Sequence, residues 1–245
     1  MITLKVLGSV SNMLKVGIMQ PYFFPYIGYW QLLNAVDIYV VYDDVNYINR
    51  GWVNRNRILI NQTPQYFNLL LSGASQNKLI NEIEISADDR HFEKLFRTLE
   101  LNYKKAPYYY DTMQLIEKIL NNPQKNLSKF LYDQIIMVAK YFDMDTHIVL
   151  SSTIDKDNSL HGEDKIIEIC KKLNAEEYYN AMGGMALYSR ERFLQNGIIL
   201  KFLETNAIRY KQYGEEFVGN LSIIDVMMFN GKEQTKDFLK KYKLV

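Results

Sequence analysis

The stretch KVGIMQPYFFPYIGYWQLLNAVDIYVVYDD, residues 15–44, decides the fold. Residues 15–19 are a short apolar run stopped by Gln20-Pro21, residues 27–34 carry helical spacing, and residues 38–42 are a second apolar run ending on Asp43-Asp44. A strand, a helix and a strand in that order favour a parallel sheet, because parallel neighbours need a connection long enough to hold a crossover helix.

Further along, residues 53–60 and 65–71 read as strands joined by the turn-rich Asn61-Gln62-Thr63-Pro64, which predicts a protruding β-hairpin. Residues 80–85 read as extended. Helices are expected at 88–104, 107–121 and 127–142, punctuated by Pro107 and Asn121-Asn122-Pro123. The alternation then resumes: strand 147–150, helix 163–173, strand 177–179, helix 189–195, strand 198–202, and helices near 222–230 and 232–242. The simplest assembly is α/β and Rossmann-like, a doubly wound, mainly parallel sheet of about five strands. Residues 13–245 form a single domain in this reading, with the hairpin and helices inserted at about 50–142, and residues 1–12 are an N-terminal extension ahead of Met13.

With 245 residues, 48% of them hydrophobic, the chain can bury one sizeable core. Its 29 Lys and Arg nearly balance 28 Asp and Glu, so no overall field draws nucleic acid or an anionic membrane, and recognition by charge must be local. Cys170 is the single cysteine, on a helical face with Ile166, Ile169 and Leu173; with no partner for an intramolecular disulfide, it fits a reducing compartment. Residues 16–36 are uncharged, yet Gln20, Pro21, Pro25, Gly28, Gln31 and Asn34 make them a poor membrane span. The first dozen residues lack a secretory apolar core. A cytoplasmic protein without integral membrane association is expected.

The candidate chemistry gathers at three places. Gln20, Tyr22, Tyr26, Gly28 and Tyr29 lie between the first strand and first helix, the usual ligand crevice of an open α/β sheet; the alternative is an aromatic plug of the core. Asp43 and Asp44 at the next strand end suit a metal, a ribose, an amine or general-base work, or else cap a turn, and strand alternation lets only one of them face a site unless the chain turns there. In Asn49-Arg50-Gly51-Trp52-Val53-Asn54-Arg55-Asn56-Arg57, a strand puts Arg55 and Arg57 on one face and Asn54 and Asn56 on the other. Paired guanidiniums, with Arg50 and Asn54 nearby, suit a phosphate, pyrophosphate or carboxylate; a solvated hairpin face is the alternative. Weaker candidates are Ser151 and Ser152 after a strand, Lys165 at a helix start, and Gly183-Gly184. His91 and His147 have no partner at metal-ligand spacing, so no metal site is assigned, and glycine-rich phosphate loops and Gly-x-Ser-x-Gly elbows are absent.

Residues 16–29, Tyr42-Asp43-Asp44-Val45, residues 49–57 and Asn220-Leu221-Ser222-Ile223-Ile224-Asp225 together resemble the WbqC-like protein family, a likeness running from about Lys15 to Tyr242. That resemblance implies bacterial surface-polysaccharide biosynthesis, of O-antigen or capsule, and transfer of a glycyl or other acyl group to an amino sugar. Phe24-Pro25-Tyr26-Ile27-Gly28-Tyr29 also looks like the Pro-x-His-x-Gly-His signature of HIGH-type nucleotidylyltransferases such as pantothenate synthetase. Tyrosines replace both histidines, so either Arg55 and Arg57 supply the charged hydrogen bond to phosphate that imidazolium gives, or the site performs no adenylyl transfer. On this reading Asp43, Asp44 and Tyr29 are catalytic, and the donor is either ATP with Mg plus a free acid or an acyl thioester. The acceptor is a nucleotide-linked or lipid-linked amino sugar. The alternative is a non-catalytic protein that binds a nucleotide sugar or a partner glycosyltransferase.

Overall fold

A computed structural model describes residues 13–245; the expected extension at 1–12 lies outside the described residues. The chain runs through β1 (Lys15–Met19), α1 (Ile27–Asn34), β2 (Ile38–Val41), the hairpin β3 (Arg55–Ile60) and β4 (Thr63–Asn68), and the short pair β5 (Leu71–Ser72) and β6 (Glu84–Ile85). Helices α2 (Asp89–Tyr103), α3 (Tyr109–Leu120) and α4 (Leu127–Tyr141) follow, then β7 (His147–Leu150), α5 (Gly162–Lys172), β8 (Glu177–Ala181), α6 (Arg190–Gln195), β9 (Ile199–Thr205), α7 (Ile223–Leu239) and β10 (Tyr242–Leu244).

Six strands form the central sheet in the order β7-β2-β1-β8-β9-β10, all parallel except β10. Growth of the sheet reverses beside β1, which pairs with β2 through Val16↔Ile38 and with β8 through Lys15↔Glu177. The parallel, mainly Rossmann-like architecture is therefore as the β-α-β opening predicts. Strand alternation sorts side chains between two cores. Val16, Ile18, Val40, Tyr178, Leu200 and Phe202 pack with Ile166, Ile169 and Cys170 of α5 and Phe193 of α6. Tyr39, Val41, Tyr179 and Leu203 pack instead with Leu32 and Leu33 of α1, Ile135 of α4 and Phe238 of α7.

Three expectations need correction. The hairpin turns on Asn61-Gln62 alone, both with positive φ (50° and 61°), and Pro64 belongs to β4 opposite Leu59. Residues 80–85 are a 3-10 turn at Ile80–Glu82 before β6, because Ile80 and Ile83 point inward at a spacing of three rather than two. The last helix stops at Leu239, and Tyr242–Leu244 turns back as the antiparallel edge partner of β9. Within α7, Gly231 takes φ 66° and ψ −170°, where a Cβ would stand 2.6 Å from the Tyr108 ring.

Candidate functional site

The turn after β1 is set by polar side chains from three distant elements. Phe24 has a φ of 41°, and its N–H donates to Gln134 Oε1 (3.1 Å) while Gln134 Nε2 donates to the Tyr22 carbonyl (3.1 Å). Asn56 Nδ2 donates to the Phe24 carbonyl (3.0 Å), and so does Ser222 Oγ (2.7 Å). Gln134, Asn56 and Ser222 are themselves buried, so these bonds are made away from water, where leaving either partner unpaired costs most. Their effect is to drive Phe23 and Phe24 wholly into the core, Phe23 stacking on Phe67, and to leave Tyr22 and Tyr26 facing outward, each half-buried.

Tyr22, Tyr26, Trp52, Asn56, Arg57 and Asn220 line a cavity of about 360 Å³. Arg57 Nη2 donates to the Asn220 carbonyl (3.2 Å), its guanidinium lies 5.7 Å from the Trp52 ring centroid, and its Nε is buried without a hydrogen-bond partner. Residues 220–223 are stitched across this wall: Ser222 N–H donates to the Arg57 carbonyl (2.8 Å) and Ile223 N–H to that of Pro25 (3.0 Å). Burial, helped by the neighbouring Tyr26, pushes the Tyr22 hydroxyl up from the usual phenol range, and burial does the same at Tyr26. Both phenols are neutral donors at physiological pH.

The other residues of the turn do structural work. Tyr29 is fully buried among Tyr22, Trp30 and Tyr39, its hydroxyl donates to the Gln20 carbonyl (3.2 Å), and burial pushes its pKa far up. At Gly28 it is the Tyr26 ring (2.5 Å from a built Cβ) and the Thr205 hydroxyl (2.8 Å) that approach, so glycine lets Tyr26 fold over the start of α1. Arg55 shares a face with Arg57, but its Nε donates to the Gly51 carbonyl (3.0 Å), its Nη2 to that of Arg50, and it stacks 4.1 Å above the Tyr66 ring. Arg50 itself is exposed, with φ 60°. Asn54 bridges Tyr47 Oη (2.9 Å) and the Leu69 carbonyl (2.9 Å).

Asp43 and Asp44 lie past the end of β2 at Val41 and take different partners. Asp43 is 1% exposed and accepts from Ser128 Oγ (2.8 Å), Ser152 Oγ (2.8 Å) and Ser152 N–H (2.9 Å), which occupies the carboxylate. Asp44 pairs with Lys156 (2.8 Å) and Lys165 (3.1 Å), both buried lysines. Burial works to raise its pKa, but the contacts with Lys156, Ser151 and Lys165 outweigh it and hold the carboxyl below the usual carboxylate range. A second cavity of about 470 Å³ opens here, lined among others by Tyr42, Asp44, Ser152, Asn158, His161 and Lys165. Ser151 is fully buried beneath it, its carbonyl accepting from Lys156.

The rim thus carries two separate groups of candidates: Tyr22 and Tyr26 with Arg57, and Asp44 with Ser152 and Lys165. Trp52, Asn220 and Lys156 escape a reading of sequence. Trp52 and Asn220 lay within quoted motifs without an assigned part, and Lys156, in Asp155-Lys156-Asp157, has the pattern of a solvated charge run.

The family model described as "WbqC-like protein family" matches residues 20–237. The chain is also 26% identical over 231 residues to the uncharacterized protein Rv1507c of Mycobacterium tuberculosis, covering 93% of this chain and 98% of that one. No solved structure matches. Among the described residues no helix is long and apolar enough to cross a membrane. The match takes in every residue that lines the two cavities, from Tyr22 to Asn220, and the chain belongs to the WbqC-like protein family.

Proposed function

We propose that this protein acts in bacterial surface-polysaccharide biosynthesis by binding a phosphate-linked amino sugar in the Tyr22–Tyr26–Trp52–Arg57 cavity and acylating its amine. The observation that carries the reading is the Arg57 guanidinium, held through Nη2 on the Asn220 carbonyl, in the lining of an aromatic-walled cavity at the sheet's carboxyl rim. A guanidinium with a free N–H matches a phosphate oxygen, and the faces of Tyr22, Tyr26 and Trp52 suit a sugar ring or base. In the reaction the amine nitrogen attacks the acyl carbonyl carbon. A C–N bond forms, the C–S bond of a thioester or the C–O bond of an acyl-adenylate breaks, and the proton shed by nitrogen leaves with the thiolate or passes to water.

Calorimetric titration with a UDP-linked amino sugar tests the binding step. Saturable binding is expected, weakened roughly ten- to a hundredfold by R57A, as loss of a hydrogen bond to a charged group requires. Absence of binding, or equal binding by R57A, refutes it. Mass spectrometry of the sugar after incubation with glycyl or acetyl thioester, or with acid plus ATP and Mg, reads the transfer and identifies the donor. A second reading, binding without catalysis, draws support from Asp43: its carboxylate is occupied by Ser128 and Ser152, and the cavity is walled by neutral phenols. It predicts the same titration with no acylated product from either donor.

A further inference from the structure

The second cavity, at the ends of β2 and β7, is chemically unlike the first. Beside it Lys156 and Lys165 share the single carboxylate of Asp44, and all three residues are nine-tenths or more buried. The other acids nearby are occupied: Asp43 by Ser128 and Ser152, Glu163 by Arg192 and the Ser189 N–H, Asp164 by Arg192. Asp43, one residue before Asp44, is buried without an ion pair among the described residues, so two carboxylates balance two lysines here and what the cluster leaves open is hydrogen-bond donor capacity.

Lys165 also lines the cavity. Its ammonium contacts the Asp44 carbonyl (2.9 Å) and carboxylate (3.1 Å), and of its three protons one is left to donate. The same cavity is lined by the His161 ring, the Asn158 amide and Gly162 at the start of α5. His161 precedes that helix without a side-chain cap, and Gly162 (φ 53°) has nothing within 4 Å of a built Cβ. A tetrahedral group with several oxygens can use donors arriving from such different directions, and a helix start adds its dipole.

We propose that this cavity is an anion site that takes a phosphate or pyrophosphate group, with Lys165 as its principal donor. The inference is independent of the sugar site around Arg57. The group belongs either to free pyrophosphate or to a nucleotide, and the test separates them. ¹⁵N-labelled protein is titrated with inorganic pyrophosphate, ATP and UDP while the amides of Gly162 and Glu163 are followed by NMR. Saturable shifts of these amides are expected, with affinity reduced about tenfold or more in K165Q, as for any charge-assisted contact. The order among the three probes names the source. Because K165Q disturbs a buried ion pair, the exposed double variant N158A/H161A supplies a second measure, and several-fold weaker binding is expected without loss of thermal stability. R57A should leave these shifts unchanged even if it abolishes sugar binding. Absence of saturable shifts with all three probes, or affinities untouched by both K165Q and N158A/H161A, overturns the proposal.

Discussion

Asp44 shows at the level of one residue how an ion pair sets stability. With its pKa lowered in the folded chain, it adds stability that is present above its unfolded value, about 3.9, and that is lost as pH falls through the folded value. D44N removes the carboxylate that Lys156 and Lys165 share, and urea denaturation at neutral pH should show a loss of about 3–5 kcal/mol. The gap between wild type and variant should close as the pH drops below that of a free carboxylate. Adjacent acids at a strand end leave open in sequence whether one faces a site or the chain turns, and here both lie just past β2. Which one faces a site is decided by lysines far along the chain, and nothing local to 43–44 reveals it. The aromatic turn has a comparable history: Phe23, Phe24 and Tyr29 form a core plug while Tyr22 and Tyr26 line a cavity. The plug reading holds for Phe23, Phe24 and Tyr29, while Tyr22 and Tyr26 are kept out of the core, a division set by which backbone atoms Gln134, Asn56 and Ser222 grip.

Among the elements, α7 departs most from a simple helix. The break at Gly231 is legible, since helices expected at 222–230 and 232–242 leave a gap at that residue. The strand after it is not, because Tyr242–Leu244 is too short to carry a period and becomes extended only by pairing with β9. Gly231 holds a backbone conformation essentially reserved for glycine, and the Tyr108 ring fills the space a side chain would need. G231A should therefore cost about 1–3 kcal/mol, read as a lowered melting temperature. In G231A/Y108A the clash is gone and the backbone strain persists, so stability lost through Gly231 is recovered only in part.

For the whole molecule, the parallel sheet follows from the alternation of apolar strand runs and amphipathic helices, and both cavities lie at its carboxyl rim. How those cavities divide the candidate residues depends on the hairpin and on residues 220–225 returning to the first turn, contacts too distant in sequence to be read from spacing. The central position of β1 has a further consequence, for synthesis. On the ribosome β1 finds β2 early but cannot gain β8 until residues 177–181 emerge. Until then a nascent chain holds an open parallel edge, the kind of surface that recruits chaperones or seeds aggregates. Arrested chains ending at residue 172 should be digested quickly by added protease, and full-length chains released from the ribosome should resist it.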